Sequence, residues 1–222
     1  TVVTIPETTP FTIYKTNYKL NNGKTLYVGG KGPNNYTCIQ DAINDSKDGD
    51  TIIVFYNIYH ENITIDKSIC LIGVEIDGKK PVINGGNSKF AVKIVANNCT
   101  LKNLEVKLNA SITMEIYSSG NIIENCHIIN LPKEITCGYE CGYALSIDRS
   151  NYNRLINNTI ETKQEACGIA IKMFRCSENE FIDNKILTGG SDYDSIWIEE
   201  GGNNFFYNNT IEGLECFSSN KN

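Results

Sequence analysis

The chain has 222 residues, 41% of them hydrophobic and 21% charged, with a formal net charge of −6. That length suits one ordinary domain with a continuous core. Its lysines and arginines are scattered, without the basic stripe a nucleic acid requires, and no apolar run approaches the roughly 18 residues of a membrane helix, so neither a nucleic-acid partner nor a membrane span is expected.

Residues 1–23 open with "TVVTIPETTPFTIYKTNYKL", rich in Thr and Pro with alternating apolar positions. They are expected to form an extended arm or linker, and such an arm could add as a strand to a neighbouring subunit. The chain starts at Thr1 rather than Met, which is compatible with a leader already removed. Residues 24–222 read as one repetitive domain. Its stretch "YTCIQDAINDSKDGDTIIVF" predicts a short helix at about 37–45, with Thr37 as N-cap and Ile39, Ala42 and Ile43 on one face. Asp48-Gly49-Asp50 then turns the chain into a strand at 51–55. Further short strands are expected at 62–65, 69–72 and 81–83. The helix would cover the first rung, whose bare edge would otherwise invite aggregation.

From there the chain repeats itself. "NIIENCHIIN" (121–130), "NRLINNTIET" (153–162), "NEFIDNKILT" (179–188) and "NFFYNNTIEG" (204–213) share one pattern. Aligned on their closing apolar residue, the units fall at Val106, Ile128, Ile160, Ile186 and Ile211, in steps of 22, 32, 26 and 25 residues. A period in the twenties marks a stacked solenoid. Each unit also carries a strictly alternating stretch: "AVKIV" (91–95), "TMEIY" (113–117), "ALSID" (144–148), "AIKMF" (170–174) and "SIWIE" (195–199). Period-two alternation means strands with one buried face. Leucine-rich or helical repeats would show a Leu consensus or a 3.6 period, and neither is present. The fold class is therefore all-β, a single-stranded parallel β-helix with a short N-terminal capping helix. The longest step encloses residues 130–142, expected as an outward loop pinned by Cys137 or Cys141.

Within each phrase the alternation turns Asn158, Asn184 and Asn209 inward on successive coils, about 4.8 Å apart. Stacked amides at that spacing can bond as a ladder and satisfy the turn backbone. The residues just before them, Asn157 and Asn208, should face solvent.

Residues 39–86, "IQDAINDSKDGDTIIVFYNIYHENITIDKSICLIGVEIDGKKPVINGG", resemble the opening of pectin-lyase-like right-handed parallel β-helices. The later Asn-rich coils are similar to the repeats of archaeal surface-layer and adhesin-like proteins, and to periplasmic accessory proteins of nitrous-oxide reductase. The resemblance spans about residues 27–212. It implies the fold but little about activity, because this scaffold carries enzymes, adhesins and lattice proteins alike. The family's catalytic signatures are not found: neither His60 nor His127 lies between glycines, and the Arg-Pro-Trp of pectin methylesterases and the Arg-Ile-Lys of polygalacturonases are missing. Two Met and two His are too few for a copper site.

Nine cysteines in this length point to an exported protein with some disulfides. Cys38, Cys137, Cys141, Cys167 and Cys216 are the disulfide candidates, and the odd number leaves at least one thiol free or joined to another chain. Sequons at Asn35, Asn44, Asn62, Asn98, Asn109, Asn157 and Asn208 are candidate glycosylation sites and agree with an extracellular or cell-surface location.

The alternation also defines an outward stripe: Lys93, Glu115/Tyr117, Ser146/Asp148, Lys172/Phe174 and Trp197/Glu199. Rings beside carboxylates suit a glycan groove, with Tyr117, Phe174 and Trp197 as ligand-binding candidates. Asp148, Glu199 and Lys172 are the candidate catalytic groups, the two carboxylates sharing a column two coils apart, about 10 Å. The same pattern also describes an ordinary solvated face or a subunit contact. Asp192, Asp194, Glu199 and Glu200 could offer carboxylates to calcium, and no other cofactor is implied. The leading expectation is a self-assembling structural subunit of a surface layer, sheath or filament. The alternative is a protein that binds or acts on cell-wall or environmental polysaccharide.

Overall fold

A coil of this kind forms because apolar side chains at every second position need one face buried, and stacking identical turns buries them all at once. The computed structural model describes residues 23–131, 142–163, 168–189 and 195–212. They wind as a right-handed parallel β-solenoid of about 6 turns. Three parallel sheets run along its length: sheet A of eight strands, sheet B of seven and sheet C of six. Each coil runs C to A to B, as in Val92–Ile94, Thr100–Lys102 and Glu105–Leu108.

The inward positions stack rung on rung. Sheet C places Ile63, Val92, Met114, Leu145, Ile171 and Ile196 in one file, all at most 1% exposed. Sheet B aligns Ile83, Val106, Ile128, Ile160, Ile186 and Ile211, so the repeat's closing residue is one core file. Sheet A ends its file with Phe181 and Phe206, stacked at 4.5 Å and 7°. Burying each such side chain contributes about 1.5–3 kcal/mol.

The corners present the harder problem, because a turning backbone leaves N–H and C=O groups that water cannot reach. Between sheets A and B, Asn103, Asn125, Asn157, Asp183 and Asn208 take φ of 53–55°, a left-handed conformation that Asn and Asp tolerate best after Gly. This turns the next residue inward. There Asn158 donates through its backbone N and Nδ2 to Asn184 Oδ1, both at 2.9 Å. Asn184 does the same to Asn209 at 2.9 and 3.0 Å, and its Nδ2 also reaches Leu155 O at 2.8 Å. Cys126 N starts this file by donating to Asn158 Oδ1 at 2.9 Å.

A second ladder, not anticipated from the sequence, lines the corner between sheets C and A. Asn121 bonds to Asn153 Oδ1 through N and Nδ2 at 3.0 and 2.8 Å, Asn153 to Asn179 at 2.9 and 3.0 Å, and Asn179 to Asn204 at 3.1 and 2.9 Å. Cys99 N begins it, donating to Asn121 Oδ1 at 2.9 Å. The signal was the first letter of every repeat phrase.

The N-terminal helix is Ile39–Asp45, with Ile39, Ala42 and Ile43 buried. Thr37 is not its cap. Cys38 holds the N-cap position without a side-chain bond, and the Glu61 carboxylate accepts from Ile39 N and Gln40 N at 2.8 and 2.9 Å. A carboxylate brought over from the next coil suits those two N–H groups and the positive end of the helix. The arm at 1–22 and the centre of the expected 130–142 loop, 132–141, lie outside the described residues. Asn130 itself belongs to the strand His127–Asn130.

None of the five described cysteines is in a disulfide: Cys38 is exposed, and Cys70, Cys99, Cys126 and Cys176 are buried. The disulfide candidates Cys137, Cys141, Cys167 and Cys216 lie outside the described residues. Burial pushes the Cys99 and Cys126 thiols up to about 11. Among the sequons, Asn44, Asn62, Asn98, Asn157 and Asn208 are exposed and Asn35 and Asn109 half-buried. The Asn35 amide is already engaged, with Nδ2 on Gly29 O at 2.5 Å.

Replacing Asn184 with Ala removes the acceptor of the Asn158 N–H and the donor to Leu155 O, while Asn209 Oδ1 keeps the backbone N–H of residue 184. The expected loss is about 3 kcal/mol, read as a lower urea midpoint at unchanged slope. Maleimide labelling of native protein near neutral pH should modify Cys38 and spare Cys70, Cys99, Cys126 and Cys176, with all five labelled in denaturant. Peptide mass mapping checks this, and native modification of Cys126 would contradict the packing described.

Candidate functional site

Strand alternation sends every second residue of sheet C to solvent, and the register decides which of them meet. One outward column runs Thr64, Lys93, Glu115, Ser146, Lys172 and Trp197. The next runs Asp148, Phe174 and Glu199. Tyr117, following Ile116, stands opposite Asp148, which follows Ile147. The stripe is thus continuous over five coils, and Asp148 and Glu199 stand two rungs apart, about 10 Å, with Phe174 between them.

The side chains along it are not equivalent. Trp197 and Tyr117 are 38% and 41% exposed. Phe174 is half-buried, and the Arg175 and Arg149 guanidiniums lie 4.8 and 5.8 Å from its ring centroid. That ring serves as a seat for two cations. Lys93 sits 4.6 Å from the Tyr117 ring and 3.5 Å from Glu115 Oε2, while Lys172 lies 5.3 Å from the Tyr143 ring. The ring contact holds the Lys172 amine in place without neutralising it, whereas Lys93 is also paired with Glu115.

Electrostatics divides the acids. Arg175 Nε meets Glu200 Oε2 at 2.6 Å, and this bond and charge hold the Glu200 carboxyl below the usual carboxylate range. Glu200 is thereby engaged, and Asp192 and Asp194, the other calcium candidates with Glu199, lie outside the described residues. Asp148 differs. Its Oδ1 is buried without a hydrogen-bond partner, and the nearest cation, Arg149 Nε, is 3.8 Å away. Burial, and then the charges of Glu115 and Asp148, raise the Tyr117 phenol above its ordinary value, keeping it a neutral donor. Counting Lys93, Arg149, Lys172 and Arg175 against Glu115, Asp148, Glu199 and Glu200, the stripe balances in charge.

The arrangement can bind a chain of hydroxyls. Rungs repeat at about 4.8 Å, a step comparable to one sugar unit, so donors, acceptors and rings recur in phase with a polymer laid along the axis. As a hydrolase pair, Asp148 and Glu199 exceed the roughly 6.5–9.5 Å of inverting carboxylates, and Phe174 separates them.

No protein-family model matches the sequence, and no curated protein sequence matches it. Among solved structures, an alginate lyase from Paenibacillus sp. str. FPU-7 superposes with a TM-score of 0.66 at 14% identity, over 86% of this chain and 68% of that one. The pectate lyase Pel9A superposes at 0.60 and 16% identity, over 82% of this chain and 54% of that one. This chain thus spans about half the length of Pel9A. At these identities the likeness establishes a shared parallel β-helix fold.

Glu115→Gln should lower the Tyr117 phenol part of the way toward its ordinary value, since burial remains. A pH titration followed by NMR of the assigned Tyr117 ring reads this, and an unmoved midpoint would place Glu115 too far away to act.

Proposed function

We propose that this protein binds, and is organised to act on, an extracellular polysaccharide laid along the outer face of sheet C. The observation that carries the reading is the stripe itself: exposed Tyr117 and Trp197 rings with held amines at Lys93 and Lys172, repeated at rung spacing. Two lyases of acidic polysaccharides with the same coil support it. The acidic character of the polymer is supported by those neighbours, not by the stripe's charge, which balances. In an elimination, a base takes the proton beside a uronate carboxyl while the glycosidic oxygen leaves. Lys172, a cation held over the Tyr143 ring midway along the stripe, is the group placed to neutralise that carboxyl and so acidify the proton beside it.

A second reading keeps a specific observation. On the last described rung, Phe205 and Tyr207 of sheet A are 56% and 71% exposed, an apolar outer surface that favours association with another copy into a sheath or filament.

The first reading is tested with alginate, polygalacturonate and a neutral glucan, by affinity electrophoresis and by the ultraviolet absorbance of unsaturated products. Binding to an acidic polymer is expected, weakened about tenfold in Trp197→Ala. Turnover, where present, should fall at least about 100-fold in Lys172→Ala. Failure to bind any polymer would remove the stripe as a polysaccharide site. Ordered sheets or fibres in negative-stain microscopy, lost on Phe205→Ser/Tyr207→Ser, would establish the second reading.

A further inference from the structure

A cavity of about 470 Å³ opens on the outer side of sheet B, on a different face from the stripe, and nothing in the proposed function uses it. Its roof is a short hairpin. Ile76 and Lys79 exchange both backbone bonds at 3.0 and 2.9 Å, and Asp77 and Gly78 between them take φ of 51° and 74°, the two left-handed residues that the tightest hairpin turn demands. Lys80 then reaches down to the corner of a later coil, where its Nζ donates to Asn125 O at 2.6 Å and Oδ1 at 3.1 Å. The floor is one outward column of sheet B, Val82, Glu105, His127 and Thr159.

The charges inside are arranged unevenly. Glu105 has Lys107 Nζ at 3.6 Å. His127 Nε2 is bonded at 2.8 Å to Glu161 Oε1, whose side chain is 8% exposed and also meets Lys163 Nζ at 2.6 Å. That bond fixes the imidazole's orientation above the buried carboxylate. Lys80 is held by two neutral oxygens, and among the described residues no carboxylate pairs with it. An ammonium has three donors, so one N–H and the full charge remain for a ligand in the cavity that Lys80 lines. Lys79 lines it too. The remaining wall offers Thr159, Asn157 and Glu105 to hydroxyls, and Tyr56, 40% exposed, supplies a ring at the rim. The volume falls within the roughly 300–1,000 Å³ of small-ligand pockets.

From this geometry we infer a second binding site, for one small hydroxylated carboxylate such as a single sugar acid. Lys80 and Lys79 take the carboxylate, and the Glu105–His127–Thr159 column takes the hydroxyls. The site is separate from the polymer stripe, so either can fail without the other.

The test is calorimetric titration of the full chain with D-glucuronate, with D-glucose and inorganic phosphate as comparison ligands. Glucuronate should bind measurably and glucose at least about tenfold more weakly. Lys80→Met should weaken glucuronate about tenfold, and Trp197→Ala should leave it unchanged. Since Lys80 also ties the hairpin to Asn125, the double variant Lys79→Met/Thr159→Val, which breaks no such tie, serves where Lys80→Met does not fold. It too should weaken binding about tenfold. Absent glucuronate binding, phosphate binding as tightly as glucuronate, loss of binding in Trp197→Ala, or full affinity in the pocket variants would each overturn the inference.

Discussion

The structure depends on hydrogen bonding at its corners. Parallel strands satisfy one another along their length, but each coil turns at three corners, and the backbone there would be buried unpaired. Two internal files of asparagine side chains resolve this. Each amide accepts from the backbone and side chain of one coil and donates to the next and to a buried carbonyl, as Asn184 does between Asn158, Leu155 and Asn209. Asparagine suits the place because its amide carries an acceptor and two donors, one for the next rung and one for a corner carbonyl, where a hydroxyl has a single donor and an apolar side chain none.

With the corners held, the sheets are rigid enough to carry chemistry on their outer faces. The stripe on sheet C draws on five coils, and the pocket on sheet B combines a hairpin at 76–79 with residues of three later coils. Neither is made within one repeat. In both, a cation sits over a ring or on neutral oxygens, so its charge is positioned without being cancelled: Lys172 over Tyr143, Lys80 on Asn125.

The same rigidity governs the thiols. Cys99 and Cys126 stand at the heads of the two ladders, where their backbone N–H donates to the first amide. Their sulfurs are buried among carbonyls, and desolvation keeps them protonated. They are best understood as small apolar corner residues where the asparagine files begin.

Much of this was legible in the sequence because inward position is a local property. Alternation alone places Val92, Met114, Leu145 and Ile171 in the core, the closing isoleucines form a file because the units are equivalent, and Asn158, Asn184 and Asn209 follow from the same count. The helix position was legible, but its cap was not, since Glu61 arrives from another coil and no local pattern marks it. The second asparagine ladder was visible as the first letter of each phrase and needed only the three-sided cross-section to be recognised as inward. What only the tertiary structure decided is which outward side chains meet. That depends on coil register and on what overhangs it: Phe174 becomes a seat for Arg149 and Arg175, Asp148 keeps an oxygen unbonded, and Tyr56, Lys80, His127 and Thr159 converge on one cavity. Burial is written residue by residue in the alternation, whereas contact between coils is set by the length of chain between them, and the steps of 22, 32, 26 and 25 residues differ.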